Sequence, residues 1–267
     1  MDAVHLPQKA CRVRRRILQM IFQSGSGHIA GPLSSADLLV ALYFGGTMAE
    51  NDRFILSCGH YCPAWYAVLT EAGLFSEKKL ETFKEINSPL QGHPHRGSLP
   101  GIETSSGPLG QGLSQAAGMA LAFKMDASTD SGQAKNRVYC LMSDAEQQEG
   151  QVWEAAMFAA KYKLDNLVAI IDRNGIQIDG QTEKVMPLGD ISAKYLAFGW
   201  NIFEIDGHIY GQILNALESA KQIKGKPTVI IAKTVAGKGV SFMEGKYEWH
   251  HGSLTREQLE QALKELP

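Results

Sequence analysis

Three short apolar runs constrain this chain more than anything else in it: Val138-Tyr139-Cys140-Leu141-Met142, Leu167-Val168-Ala169-Ile170-Ile171 and Thr228-Val229-Ile230-Ile231. Polar or turn-forming residues bound each run. A strand with one buried face alternates apolar and polar side chains, whereas a strand covered on both faces reads as a near-continuous apolar run, the pattern of a parallel sheet between helices. Residues 152–163 and 210–221 have helical spacing and sit where parallel strands need crossovers, and 201–205 is a weaker fourth strand. The expected fold is an α/β domain with a doubly wound, mostly parallel sheet flanked by helices.

The preceding segment reads as further helices and one strand. Residues 8–23 place Cys11, Val13, Ile17, Met20 and Ile21 near helical spacing, and Gly25-Ser26-Gly27 stops the helix. Residues 36–43 form a second helix ended by Gly45-Gly46, 53–57 a short buried strand, and 63–72 another helix. From 87 to 112 the chain is rich in Gly, Pro, Ser and His and reads as one long functional loop. A small-residue helix over 113–125, an exposed polar connection over 126–136 and a polar helical tail complete the outline. At 267 residues, one domain spanning 1–267 accommodates all of it.

Charge and cysteine usage narrow the function. With 26 basic and 28 acidic side chains, no basic footprint draws the chain to nucleic acid or to an anionic membrane. No apolar run is long enough to span a bilayer, and four cysteines in a chain of this length point to a reducing cytoplasm. Arg12, Arg14, Arg15 and Arg16 are expected to form a solvated helix face. Cys58 and Cys62 flank His60, a local set with soft-metal chemistry, but no second cysteine pair completes it, and buried thiols usually act as small hydrophobes. Gly25-Ser26-Gly27-His28-Ile29-Ala30 matches the dinucleotide fingerprint but follows a helix instead of a strand. Gly237-Lys238-Gly239 lacks the spacing of a phosphate loop. No serine nucleophile elbow is present.

The most informative residues follow two adjacent strands. Ser143-Asp144-Ala145 ends one and Asp172-Arg173-Asn174-Gly175-Ile176 the next, with a crossover helix between them. Ligands of open α/β sheets sit at the carboxyl ends of strands, and a carboxylate beside a carboxamide there is a pair of hard oxygen donors suited to Mg²⁺ or Ca²⁺ on a diphosphate. Taken alone, Asp144 also reads as a helix cap and Asn174 as a turn residue.

At this point the chain resembles the thiamine-diphosphate enzymes, and among them the amino-terminal, diphosphate-binding part of transketolase. The matching segments are Ser26-Gly27-His28, Cys58-Gly59-His60, Gly92-His93-Pro94, Gly107-Pro108-Leu109-Gly110-Gln111-Gly112, Ser143-Asp144-Ala145 through Glu149-Gly150, Asn174-Gly175-Ile176, and Lys233-Thr234 to His251-Gly252. They occur in family order across nearly the whole chain. The resemblance implies a thiamine-diphosphate-binding fold in which Asp144, Asn174 and the Ile176 carbonyl hold Mg²⁺ (or Ca²⁺ or Mn²⁺). It also implies that Gly107, Pro108 and Leu109 approach the cofactor and that Ile178 lines its apolar part. Where the family motif begins Gly-Asp-Gly this chain has Ser143 and Ala145, so the Ala145 amide is expected to reach phosphate only if the loop keeps its shape. His28, His60, His93 and His251 fall on positions that implicate them in substrate and proton handling, with His250 as the alternative to His251 because the register there is open by one. His95 has no counterpart. Glu149 and Glu154 are expected near an interface between cofactor-binding subunits, with Glu149 also at the cofactor.

Transketolases continue into a pyrimidine-binding domain and a carboxyl-terminal domain, and the glutamate that activates the aminopyrimidine has no counterpart in this chain. The resemblance therefore implies a split transketolase, two copies of this chain with two of a separately encoded partner, moving a two-carbon ketol unit from a ketose phosphate to an aldose phosphate in the cytoplasm, as in the pentose phosphate pathway. Two alternatives stand beside it. One is a subunit of another thiamine-dependent enzyme, either deoxyxylulose-phosphate synthase-like or a 2-oxoacid dehydrogenase alpha component. The other is a noncatalytic cofactor-binding scaffold.

Overall fold

The computed structural model describes residues 5–126 and 136–266, so the connection expected over 126–136 lies outside the described residues except at its two ends. The chain begins with helix α1 (Leu6–Ser24), a two-residue strand β1 (Gly27–His28), helix α2 (Ala30–Phe44), strand β2 (Arg53–Leu56) and helix α3 (Cys62–Glu71). Helix α4 (Gln111–Asp126), strand β3 (Val138–Ser143), helix α5 (Gly150–Lys161) and strand β4 (Leu167–Arg173) follow. A small hairpin of β5 (Ile176–Gln177) and β6 (Gly180–Gln181) leads into α6 (Thr182–Val185), α7 (Ile191–Ala197), β7 (Asn201–Asp206), α8 (Tyr210–Ala220) and β8 (Thr228–Lys233). The last elements are β9 (His251–Gly252) and α9 (Arg256–Glu265).

The five longer strands form one sheet in the order β2-β3-β4-β8-β7, every pair parallel. Ser143 lies opposite Asp172 in the register, so the ends of β3 and β4 deliver their polar residues side by side. Strand β7 is an edge strand whose side chains are mostly half-buried or exposed, and this is why its apolar signal is weak.

Alternate residues of the strands enter two cores. Phe54, Leu56, Tyr139, Leu141, Val168 and Ile170 pack with residues of α1, α2, α3 and α8 on one face, while Ile55, Val138, Cys140, Met142, Ala169 and Ile171 pack with α4, α5 and α7 on the other. That double burial produces the continuous apolar runs. Helix α2 is buried from Ala30 through Leu42, so no polar stripe marks its ends. It starts six residues ahead of the expected Ala36 because Pro32, within the first turn, needs no helical donor.

Of the arginine cluster only Arg12 is exposed, as a solvated face would require; Arg15 and Arg16 are half-buried. Arg14 is buried and its guanidinium grips Asp37 of α2 at 3.2 and 2.6 Å while its Nε donates to the Leu33 carbonyl. Arg12 and Arg16 both reach Glu71 of α3 at 2.6 Å. Arg15 donates to the Leu263 and Leu266 carbonyls at the end of α9, where a cation complements the unpaired helix carbonyls. Charge density along α1 alone did not show this, because α1 is wrapped by three helices. Asp37 also accepts from Tyr210 Oη and His208 Nδ1, and His208 Nε2 accepts the Val235 amide, joining α1 and α2 to the loops around α8 and β8.

The thiols flanking His60 are buried: Cys58 Sγ donates to the Leu141 carbonyl and Cys62 Sγ to the Gly92 carbonyl, and among the described residues no group of three or more His, Cys, Asp or Glu side chains is placed to hold a metal ion. Nor is any helix among the described residues long and apolar enough to cross a membrane.

Candidate active site

Strands β1 and β9 are each two residues long and lie more than 220 positions apart in sequence, yet they pair antiparallel, Gly27 with Gly252 and His28 with His251. The Ile29 amide extends the pairing by donating to the His250 carbonyl at 3.1 Å. His28 thereby becomes the hub of an imidazole cluster, with ring centroids 4.9 Å from His60, 6.2 Å from His93, 5.4 Å from His250 and 4.8 Å from His251. His60 occupies a buried 3₁₀ turn, Gly59–Tyr61, after β2, and His93 comes from the long loop. A cavity of about 350 Å³ opens beside them, lined by His28, His60, His93 and His250 on one side and by Gly107, Leu109, Ala145, Glu149, Ile176 and Ile178 on the other.

Burial holds these imidazoles neutral. Desolvation first, then the neighbouring histidines, push His28 down to about 3 and His250 to about 4, and the same two causes hold His60 well below its ordinary range; burial lowers His93 as well. A neutral imidazole donates from one nitrogen and accepts at the other, which suits it to sugar hydroxyls and to moving a proton at a carbonyl oxygen. The same shifts set a pH dependence. The unfolded chain protonates these groups below the ordinary 6.5 while the fold keeps them neutral, so their contribution to stability is complete above 6.5 and is lost as pH falls toward about 4 for His250 and about 3 for His28. Between pH 7 and pH 5 this lowers the urea midpoint while the raised carboxyls of Asp144 and Glu146 act in the opposite direction, so the expected result is a wild-type midpoint that falls relative to that of His28→Gln as pH drops (on the order of one proton per group,). Equal slopes in the two proteins would remove His28 from this account.

Beneath the cavity lies an oxygen-rich cradle. Asp144 is fully buried; its Oδ1 accepts the Ala145 amide at 2.8 Å and its Oδ2 accepts the Gly175 amide at 2.8 Å and Arg173 at 3.0 Å. Burial raises its carboxyl to about 6 against the opposing pull of Arg173. Asn174 points its amide nitrogen at Tyr61 Oη and Asp172 Oδ2, both 2.8 Å away, which turns its Oδ1 toward the Ile176 amide at 3.1 Å. Asp172 is itself fully buried and accepts hydroxyls from Ser34 at 2.6 Å, Tyr61 at 2.9 Å and Thr234 at 2.5 Å. A carboxylate, an oriented carboxamide oxygen and a backbone carbonyl at Ile176 are the donor types that a hard divalent cation takes, so the residues present fit Mg²⁺ and a diphosphate.

The glycine-rich loop contributes Gly107 and Leu109 to the histidine cavity. Gly110 has φ +82°, open to glycine but strained for other residues, and a Cβ on Gly112 would stand 2.4 Å from Ser57. Gly107 runs past His93, where a Cβ would have room at 3.5 Å.

The structure brings most of the expected site residues to one place and separates others. Pro108 is exposed and outside the cavity wall, and Asn174 faces an adjoining cavity of about 660 Å³ together with Arg173 and Thr234. His251, the register carried from the sequence, is exposed and packs its ring on His28 without lining the cavity, whereas His250 lines the cavity and lies 5.5 Å from His60. The β1–β9 pairing decides this, since it commits the His250 carbonyl and backbone to Ile29. The Ala145 amide is spent on Asp144 Oδ1, because Asp144 caps the 3₁₀ turn Ala145–Gln148, and so does not point into the cavity. Glu149 lines the cavity, Glu154 is exposed on α5, and His95 stays apart with its Nδ1 3.4 Å from Ser105 Oγ. Tyr61, Gln148 and Glu146 join the site without having been expected there, and Asp172, read from the sequence only as a polar residue at a strand end, accepts hydroxyls and the Asn174 amide within it. Asp172 alone carried a signal, as the last buried residue of a strand two positions before Asn174.

Comparison with known proteins agrees with this geometry. The family model described as transketolase, thiamine diphosphate binding domain, matches residues 8–266. The chain is 43% identical over 261 residues to one of the subunits of the apulose-4-phosphate transketolase of Phocaeicola vulgatus, covering 95% of this chain and 90% of that one. It is 41% identical over 271 residues to the SqwG subunit of the 6-deoxy-6-sulfo-D-fructose transketolase of a Clostridium species, covering 98% and 96%. Its structure superposes on the crystal structure of transketolase from Campylobacter jejuni with a TM-score of 0.91 at 33% identity, over 100% of this chain but 43% of that one. By fold, by the motifs along its length and by these relatives, the chain belongs to the transketolase family and carries its thiamine diphosphate binding domain.

Proposed function

We propose that this chain is the diphosphate-binding subunit of a two-chain transketolase that moves a two-carbon ketol unit from a ketose to an aldose, both bearing a terminal anionic group such as phosphate. The observation that carries the reading is the adjacency of an oxygen cradle, fully buried Asp144 with half-buried Asn174, to the imidazole cluster: Tyr61 accepts from the Asn174 amide and packs on His60, and Ala145 and Ile176 beside the cradle line the histidine cavity. Bound thiamine diphosphate supplies the carbanion chemistry that cleaves the carbon–carbon bond next to a ketose carbonyl. Asp144, Asn174 and the Ile176 carbonyl would hold Mg²⁺ on its diphosphate, and Gly107, Leu109 and Ile178 would flank it. His28, His60 and His93, with His250 beside them, bind the ketose hydroxyls and hold or move a proton at its carbonyl oxygen.

Relatives that are themselves named as single subunits of transketolases, and that this chain matches nearly end to end, support a separately encoded partner; the proposed complex has two copies of each chain, the partner carrying the pyrimidine-binding domain, in the cytoplasm. The sugars in their names, apulose 4-phosphate and 6-deoxy-6-sulfofructose, support a donor other than the common pentose phosphates. Native mass spectrometry of the protein purified from its own cells with thiamine diphosphate and Mg²⁺ tests the assembly. A partner with a pyrimidine-binding domain and ketol transfer by the recovered complex, with none by this chain alone, is the expected result. A complex that binds cofactor yet turns over no ketose or 2-oxoacid would replace this reading with a noncatalytic scaffold, and turnover of a 2-oxoacid alone would move it to a dehydrogenase component.

A further inference from the structure

One buried carboxylate in the site belongs to none of the roles above. Glu146 has no exposed surface, and it sits in the 3₁₀ turn Ala145–Gln148 where three separate segments of chain meet. Its Oε1 accepts the Ser57 hydroxyl at 2.5 Å and the Gly110 amide at 2.7 Å, and its Oε2 accepts the Ser143 amide at 3.1 Å. Ser57 Oγ in turn accepts the Gly112 amide at 3.0 Å. One side chain therefore ties the end of β2, the glycine-rich loop at the start of α4 and the end of β3, immediately beside Asp144.

We propose that Glu146 is a positioning residue for cofactor binding: it clamps the Gly107–Gly112 loop to the Ser143–Asp144 turn and so sets the spacing between the loop wall and the cation cradle. The inference rests on the diphosphate-binding reading given above. Three facts support it. The Gly110 and Ser143 amides and the Ser57 hydroxyl all meet its two oxygens, and these bonds pull its carboxyl down against the burial that pushes it up to about 7. It lies at the amino end of α4, where its oxygen gives an acceptor to a backbone amide that the helix leaves unpaired. And it takes up the Gly110 amide directly and the Gly112 amide through Ser57, so the loop's backbone is held from behind while Gly107 and Leu109 remain on the cavity side. A glutamine keeps one carbonyl oxygen but turns an NH₂ group toward a buried N–H, leaving at least one donor without an acceptor.

The test uses the complex of this chain with its partner and two readouts. Hydrogen–deuterium exchange of the cofactor-free complex is read over residues 107–114, and calorimetric titration with thiamine diphosphate at fixed Mg²⁺ gives its affinity. Glu146→Gln is expected to speed exchange over 107–114 while leaving 138–142 protected, and to weaken cofactor binding by about tenfold. Ser57→Ala, which loses only the relay to Gly112, is expected to weaken binding by about threefold, and the double variant to be no weaker than Glu146→Gln, because Ser57 acts through Glu146. Faster exchange with unchanged affinity would overturn the proposal and leave Glu146 as a helix-capping group, and unchanged exchange would overturn it outright. Should Glu146→Gln fail to assemble, unchanged affinity in Ser57→Ala overturns it. A wild-type complex that does not bind thiamine diphosphate refutes the functional reading instead, and exchange in the cofactor-free protein still reports whether the clamp exists.

Discussion

Asp144→Ala is expected to weaken Mg²⁺-dependent binding of thiamine diphosphate by about a hundredfold or more. The carboxylate is the only charged donor in the proposed cradle, and it is fully buried. Its removal also strands the Gly175 amide and leaves Arg173, 22% exposed at its side chain, without the more deeply buried of its two acidic partners. A tenfold change in affinity corresponds to about 1.4 kcal/mol, so a hundredfold loss asks roughly 3 kcal/mol of the lost contact between carboxylate and cation. Asp144→Asn separates charge from shape. It keeps an oxygen near the same place, so the fold is expected to survive while cation-dependent affinity still falls. Calorimetric titrations with and without Mg²⁺ read both variants, and affinity equal to wild type in Asp144→Asn would refute the ligand role.

Replacing His28 by alanine is expected to lower kcat for ketol transfer by about a hundredfold to ten-thousandfold, the usual range for removing a positioned proton-transfer group, with cofactor affinity changing by less than about threefold. His28 is the hub whose ring packs near four other imidazoles, and it lines the cavity with His60 and His93. That position predicts a split between turnover and binding. Rates measured at saturating thiamine diphosphate, beside the affinity of the same preparation, read the split. Loss of affinity in step with kcat would mean that His28 holds the site together and does not act on substrate. The β1–β9 pairing uses backbone only, so truncating the side chain leaves it intact.

The architecture was legible because double burial leaves a mark that needs no neighbour to be seen. The runs around Cys140, Ala169 and Ile230 are apolar since both faces of those strands are covered, and their order along the chain then dictates crossover helices. The ends of β3 and β4 follow from the same reading, which is how Asp144 and Asn174 were found together. Where burial is one-sided or total the mark fades. Strand β7 sits at an edge and reads weakly, α2 is buried all round and gave a late start, and the hairpin of β5 and β6 is too short to show a period at all.

The histidines divide along a similar line. Four of them were placed by motif, and the structure gathers His28, His60 and His93 at the cavity. The choice between His250 and His251 was not in the motif, since two adjacent residues of one type carry no phase. Arg14 misled for a related reason: a charged residue among charged residues looks solvated until α2 supplies Asp37. Glu146 gave no sign because its partners, Ser57, Gly110 and Ser143, come from three separate stretches of chain.

By itself the amino-acid sequence determined the α/β class, the parallel strands and the chemistry delivered at their carboxyl ends, because periodicity and turn residues act over a few neighbouring positions. Only the tertiary structure decided which histidine faces the cavity, which arginine is buried and which carboxylate clamps the cofactor loop. Those outcomes depend on strand register and on desolvation by residues up to 225 positions away, as in the pairing of Gly27 with Gly252, and neither leaves a local trace in the chain.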